Sequence, residues 1–398
     1  MELYLQFGYG MMGLCKELIK KWGKGTVILS PRDLSYDQMG RFSNEVRALN
    51  GNVLVDPQFY MPHANHGRLT SHSFWPNNYV TSLFNKNEIS RMLLILKNEY
   101  NDRLNTSFFI LPGSYSSIIS EDWHTYNNLV IESAKSINIE QDMYLTISLS
   151  NDVLNSEEQI HLLLEYLETI DVSGYYIVPE PPANSYLVDN PGWLLNLMDL
   201  CTGIKNLQKK VIVGYCSHQM LCLALAKVDA ISSGTWLNVR SFNTNKFSEV
   251  EDSISKRSTW YYCPQALSEY QIAFLDIANR VGKLSELQTD SIFDSPYSDV
   301  LFSGAQPSTV NFNEGNAFKH YLQCLNMQVH FAVKSTYLDT RVSLKIQLET
   351  ANLLLQDLNS RGIRGRGRDF SQVLDINISA IDAFHQLRGI MQQYLWNT

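Results

Sequence analysis

The feature that most constrains this chain is a repeated unit: a short apolar run that stops at a polar or proline-containing end and is followed by a capped amphipathic helix. Residues 26–60, TVILSPRDLSYDQMGRFSNEVRALNGNVLVDPQFY, hold one full copy. Val27-Ile28-Leu29 ends at Ser30-Pro31-Arg32-Asp33, and Val53-Leu54-Val55 ends at Asp56-Pro57-Gln58. Between them Ser35 and Gln38 have capping-box spacing, Met39, Phe42, Val46 and Leu49 recur at helical spacing, and Gly51 closes the helix. Strand, helix and strand in that order predict a crossover between parallel strands.

Further strands are predicted at 3–7, 107–111, 143–149, 174–178, 210–213 and 229–231, each followed by a helix or a strand-end loop. Eight such strands in about 240 residues predict an α/β fold of the (β/α)8 TIM-like barrel class. The alternative is a doubly wound open sheet, but Gly8-Tyr9-Gly10 after the first strand lacks the third glycine of a dinucleotide-binding fingerprint. From about Phe247 the pattern turns helical, with helices expected over 265–280, 316–333, 338–359 and 373–396. Residues 1–247 are therefore read as the barrel and 248–398 as a helical C-terminal region packed on it.

A chain of 398 residues that is 44% hydrophobic can bury a large core, and its formal net charge of −8 excludes wholesale attraction to nucleic acid or anionic membrane. Any contact with a polyanion has to be local. The chain has no apolar run long enough for a membrane span, so no membrane association is expected. Cys15, Cys201, Cys216, Cys222, Cys263 and Cys324 form no CxxC pair, and the N-terminus enters a strand directly, which points to a reducing cytoplasm. No cofactor is expected.

Barrel active sites are built from the C-terminal strand ends, and this defines the candidates. Asp56 and Glu180, from the third and sixth predicted strands, are placed to face each other across the mouth as a carboxylate pair for glycosyl transfer. The bland reading is a turn cap for Asp56 and a solvated loop for Glu180. Asp33 is a third catalytic candidate, or simply the ion-pair partner of Arg32. His218, in GYCSH, has the chemistry of a general base or of a helix-start hydrogen bond, and nearby Cys216 reads better as a buried small hydrophobe than as a nucleophile. Arg32, Gln58, His63, Trp75, Ser233 and Trp236 are candidate substrate contacts. His63, His66 and His72 lie at spacings of three and six, which match no standard zinc pattern, so their loop, residues 61–78, is read as a rim that closes over substrate and no metal is expected. Arg361, Arg364, Arg366 and Arg368, separated by glycines, form the one basic cluster and are candidate nucleic-acid contacts, or a solvated loop.

The run VIVGYCSHQMLCLALAKVDAISSG, Val211–Gly234, resembles the corresponding part of the tRNA-guanine transglycosylases and their DNA-acting paralogues. That resemblance implies an eight-stranded barrel that exchanges a base through a covalent sugar–enzyme intermediate. Ser232 and Ser233 stand where the family has its nucleophilic aspartate, and the family's cysteine zinc cluster has no counterpart around Cys263, so no catalytic residue carries over. Two expectations follow. One is a carboxylate-dependent, transglycosylase- or glycosidase-like enzyme acting on a glycosidic or N-glycosidic bond of a nucleoside or nucleic acid. The other is a non-catalytic barrel, a nucleic-acid-binding or interaction subunit of a larger assembly, with the C-terminal helical region as its protein-contacting surface.

Overall fold

The computed structural model describes residues 1–61, 64–76, 85–248 and 258–397. In chain order the first strands are β1 (Glu2–Gln6), β2 (Gly25–Leu29), β3 (Gly51–Val55), β4 (Phe109–Leu111), β5 (Tyr115–Ser116), β6 (Met143–Leu149), β7 (Gly174–Pro179), β8 (Lys210–Val213) and β9 (Ala230–Ser233). They pair in parallel in the order β3-β2-β1-β9-β8-β7-β6-β4, with the two-residue β5 also on β6. The result is a nearly closed (β/α)8-type barrel whose seam lies between β3 and β4. The Tyr115 amide spans that seam, donating to the Tyr60 carbonyl at 2.9 Å. Gly113 makes the turn from β4 to β5 feasible, because a Cβ there would run into the Thr146 carbonyl oxygen on β6.

Helices α1 (Met12–Trp22), α2 (Tyr36–Arg47), α3 (Gly67–Thr70), α4 (Lys86–Ile95), α5 (Glu121–Ser136), α6 (Asn151–Leu154), α7 (Glu157–Glu168) and α8 (Pro191–Asn206) connect successive strands. The predicted capping box is present: the Gln38 amide donates to Ser35 Oγ at 3.3 Å and the Ser35 amide to Gln38 Oε1 at 2.9 Å. Met39, Phe42 and Val46 bury the inner face of α2, as their spacing requires. Between β8 and β9 the chain instead forms a 3-10 stretch, His218–Ala226, in which every residue is buried. HQMLCLALA is apolar nearly all round, and the C-terminal helices cover the face that would otherwise meet solvent.

The C-terminal region begins with an antiparallel hairpin, β10 (Trp260–Cys263) and β11 (Ser268–Gln271), and continues with α9 (Ile272–Arg280), α10 (Leu284–Leu287), α11 (Glu314–Ala332), α12 (Tyr337–Ser360) and α13 (Leu374–Asn397). The helix expected from residue 265 therefore starts only at Ile272. Tyr261, Tyr262, Cys263 and Tyr270 are all buried, and the aromatic-rich WYYC segment favours a strand over a helix turn. The region packs on the barrel through specific polar ties. Arg388 on α13 grips Asp199 on α8 at 2.5 and 3.0 Å, and Trp22 Nε1 on α1 donates to Gln323 Oε1 on α11 at 2.7 Å. Among the described residues no helix is long and apolar enough to cross a membrane. All six cysteines are free and buried, and burial pushes the Cys216 thiol well above its ordinary value, which removes it as a nucleophile.

Candidate active site

Side chains on alternate barrel strands point inward in layers, and the layer beneath the C-terminal mouth is polar here rather than aliphatic. Gln6 on β1 accepts from Ser232 Oγ on β9 at 2.6 Å and lies 3.1 Å from the Tyr176 hydroxyl on β7. Tyr175, one residue away, points outward and donates to the Leu167 carbonyl of α7. A Cβ at Gly214 would come within 2.6 Å of the Tyr176 hydroxyl, so glycine at the end of β8 leaves room for that ring to cross the barrel.

Asp56, at the end of β3, sits on this layer and is fully buried. Its Oδ2 accepts from the hydroxyls of Tyr60 at 2.7 Å and Tyr215 at 3.1 Å, with Tyr176 at 3.4 Å, while the Gln58 amide donates to Oδ1 at 2.9 Å. Burial pushes the Asp56 carboxyl above the usual carboxylate range, opposed by those donors and by the Lys246 ammonium. Gln58 and Tyr215 have φ of 53° and 56°, left-handed backbone that costs a side-chain-bearing residue about 1–2 kcal/mol each. Two residues in left-handed backbone thus hold this one buried carboxylate.

The network extends outward to Asp33. The Ser30 hydroxyl lies between Asp33 Oδ2 at 2.7 Å and Gln58 Oε1 at 3.1 Å, and Gln58 Oε1 also accepts from the Arg32 amide at 2.9 Å. Arg32 pairs with Asp33 at 2.9 Å and donates through Nε to the Lys246 carbonyl at 2.6 Å. Lys246 is buried, its amino group 3.7 Å from the centre of the Tyr215 ring and 3.1 Å from the Asn238 carbonyl oxygen. Burial brings that amine down to about 7, with Asp33 and Asp56 pulling it up and Arg32 pushing it down. The strand-end carboxylates and Lys246 therefore share one electrostatic unit.

Above this unit opens a cavity of about 1050 Å³, lined by Arg32 and Asp33 with Phe7, Tyr9, His66 and Trp236 among its walls. Asp56 lies below Asp33 and is connected to the cavity through Ser30 and Gln58. Glu180 is held apart from them: its Oε2 accepts from the Tyr115 hydroxyl at 2.5 Å and from the Asn151 amide at 3.2 Å. Both carboxylates are thus bound by tyrosines, and the Tyr115 amide joins those tyrosines at the seam.

The remaining candidates scatter. His218 is buried among Tyr186, Tyr262, Tyr321 and Phe370 at the junction with the C-terminal region, and burial lowers its pKa to about 4. It touches neither Asp33 nor Asp56 and does not line the mouth cavity, and its burial favours the neutral imidazole. Ser233 is buried beside the Tyr321 hydroxyl. Trp75 is buried edge-on to Phe59 at 5.0 Å, and His72 is anchored by the Tyr100 hydroxyl and by the Pro31 and Leu34 carbonyls. The loop expected to close over substrate is thus pinned into the core by Phe74, Trp75 and His72, and contributes His66 and Arg68 to the mouth. His63 lies outside the described residues. Among the described residues no three His, Cys, Asp or Glu side chains gather to hold a metal ion.

The arginine cluster does not act as one patch. Arg361 pairs with Asp357 at 3.5 Å, Arg364 and Arg366 are exposed, and Arg368 turns inward to Glu269 at 2.8 Å. Gly365 permits that turn, since a Cβ there would meet the Glu269 carbonyl oxygen and the Asp369 backbone at 2.9 Å. Sequence reasoning missed Tyr60, Tyr176, Tyr215 and Lys246. Tyr176 was readable, because it shares the inward face of β7 with Glu180 at period two.

The fold and mouth define a (β/α)8-type barrel with a buried carboxylate unit at the C-terminal strand ends. No protein-family model matches the chain, and no curated protein is similar to it in sequence.

Proposed function

We propose that this chain is a carboxylate-dependent barrel enzyme that cleaves or exchanges a glycosidic or N-glycosidic bond, in a nucleoside or nucleic-acid substrate. The observation that carries this reading is the hydrogen-bonded cluster of Asp33, Ser30, Gln58 and Asp56 at the mouth, joined electrostatically to the buried Lys246 amine, which burial brings down to about 7. Glycosyl transfer needs one carboxyl that keeps its proton and another that stays ionised. Burial raises Asp56 toward the first role, and Asp33, on the cavity wall beside Arg32, is the candidate for the second. Phe7, Tyr9 and Trp236 offer flat surfaces for a sugar or base in the cavity. Glu180 is the alternative second carboxylate.

The test is a panel of nucleosides, short oligonucleotides and aryl glycosides, scored for released base or sugar and for exchange of labelled free base. Release by wild type that falls about a thousandfold in Asp33→Asn or Asp56→Asn supports the reading. Release that survives both substitutions sinks it. A second reading, a protein-binding subunit, is favoured by apolar side chains left exposed on two C-terminal helices, Val342 and Ile346 on α12 with Leu387 and Ile390 on α13. Silence across the panel, together with a wild type found to self-associate and Ile346→Lys and Ile390→Lys variants that do not, would favour that reading.

A further inference from the structure

A second cavity, of about 390 Å³, opens where the barrel mouth meets the C-terminal region and shares Trp236 with the first. We propose that it is a binding site for a nucleoside monophosphate, free or as one unit of a strand, with the heterocycle against Trp236 and Trp260, its polar edge toward Glu314, and the phosphate at Arg368. This site stands on its own residues and does not require Asp33 or Asp56 to be catalytic.

The cavity is built on a buried ionic cluster. Glu269 on β11 takes Arg240 Nη1 at 3.2 Å, Arg368 Nη1 at 2.8 Å and the Tyr186 hydroxyl at 2.6 Å. Arg240 is locked further, with Nε on the Gly234 carbonyl at 2.8 Å and its guanidinium 3.4 Å from the Tyr321 ring centre. Arg368 keeps 18% of its side chain exposed and lies 4.1 Å from the Trp260 ring centre, so its fork serves both the carboxylate and the cavity. The first turn of the 19-residue α11 also lines the space, where Asn313 caps the Asn316 amide and Glu314 supplies an acceptor.

The wall also holds a buried hydroxyl without a partner. Thr235 is 3% exposed, it lines this cavity and an adjoining one of about 370 Å³, and its hydroxyl has no hydrogen-bond partner among the described residues. Buried hydroxyls without partners are uncommon in folded proteins. Charge selects among anions: Glu314 at the rim opposes a bare phosphate but suits the amino or ring N–H edge of a base. A ligand with both an anion and a hydrogen-bonding heterocycle satisfies the whole wall.

Titration of tryptophan fluorescence at low salt tests this, using the four common nucleoside monophosphates, inorganic phosphate and single-stranded trinucleotides. Saturable quenching by a mononucleotide is expected, weakened at least about tenfold by Arg368→Gln, severalfold by the near-isosteric Thr235→Val, and unchanged by Arg361→Gln. Quenching by trinucleotides alone, with the same variant pattern, assigns the same moiety to a strand and supports the site. Three results overturn it: no saturable response to any nucleotide; equal affinity in wild type and in Arg368→Gln and Thr235→Val that keep the native near-ultraviolet dichroism; or inorganic phosphate binding as tightly as the nucleotides. Affinity lost in Asp33→Asn moves the ligand to the mouth and equally overturns it.

Discussion

Glu269→Gln tests whether the C-terminal region is joined to the barrel by a buried charge cluster. Glu269 is 3% exposed and holds Arg240 and Tyr186 from the barrel loops and Arg368 from the C-terminal region. Burial alone would raise its carboxyl, but Arg240 and Arg368 outweigh that and bring it down to about 2 from an ordinary 4.5. The difference corresponds to roughly 3 kcal/mol in favour of the ionised form. Glutamine keeps the shape and loses the charge, leaving two guanidiniums facing each other with no counter-ion, so a cost of about 3–5 kcal/mol is expected at pH 7.5. The sign with pH follows from a depressed native value. The contribution is complete above about 4.5 and is lost as pH falls toward 2, so the gap between wild type and variant should narrow on acidification. Urea unfolding of both proteins at pH 7.5 and pH 3.5 measures this. A variant within about 1 kcal/mol of wild type at pH 7.5, or a gap that widens in acid, refutes the reasoning.

Buried neutral histidines set a second acid limit. His218 and His320 are held near 4 by burial, below their ordinary 6.5, so stability should fall as pH drops below 6.5, by up to roughly 3 kcal/mol for each by pH 4; a flat urea midpoint from pH 6.5 to 4.5 would count against this. Gly113→Ala should open the β3–β4 seam, because its methyl meets the Thr146 carbonyl, costing about 2 kcal/mol or more and speeding amide exchange at Tyr115; exchange equal to wild type refutes it. Arg364 is exposed and forms no ion pair among the described residues, so Arg364→Gln should leave stability within about 0.5 kcal/mol while Arg368→Gln lowers it, read from thermal midpoints.

The barrel was legible because each strand carries its own signals: Val27–Leu29 and Val53–Val55 are apolar runs ending in polar residues, and Ser35 with Gln38 announces the helix between them. Asp33 and Asp56 were legible for the same reason, as polar residues at strand ends. Their surroundings were not. Tyr215 and Lys246 reach Asp56 across sequence separations that no local pattern encodes, and the left-handed backbone of Gln58 and Tyr215 violates local propensity. The burial of His218 was not legible because a strand-end position says nothing about cover added later in the chain, here by Tyr262, Tyr321 and Phe370. The arrangement of the arginine run was hidden similarly: Arg368 has a buried partner on β11, a hairpin that read as part of a helix.

The central claim is that Asp56 is kept for chemistry and not for stability, and one variant separates the two. Because burial raises its native pKa, ionised Asp56 costs stability as pH rises through that value, and a neutral isostere removes the cost. Measured together at pH 7.5, the unfolding free energy and the rate of glycosidic release should move in opposite directions in Asp56→Asn, with stability equal to or above wild type and release lower by about a thousandfold. A variant that is several kcal/mol less stable yet releases product at the wild-type rate would contradict the account and make Asp56 a structural clamp.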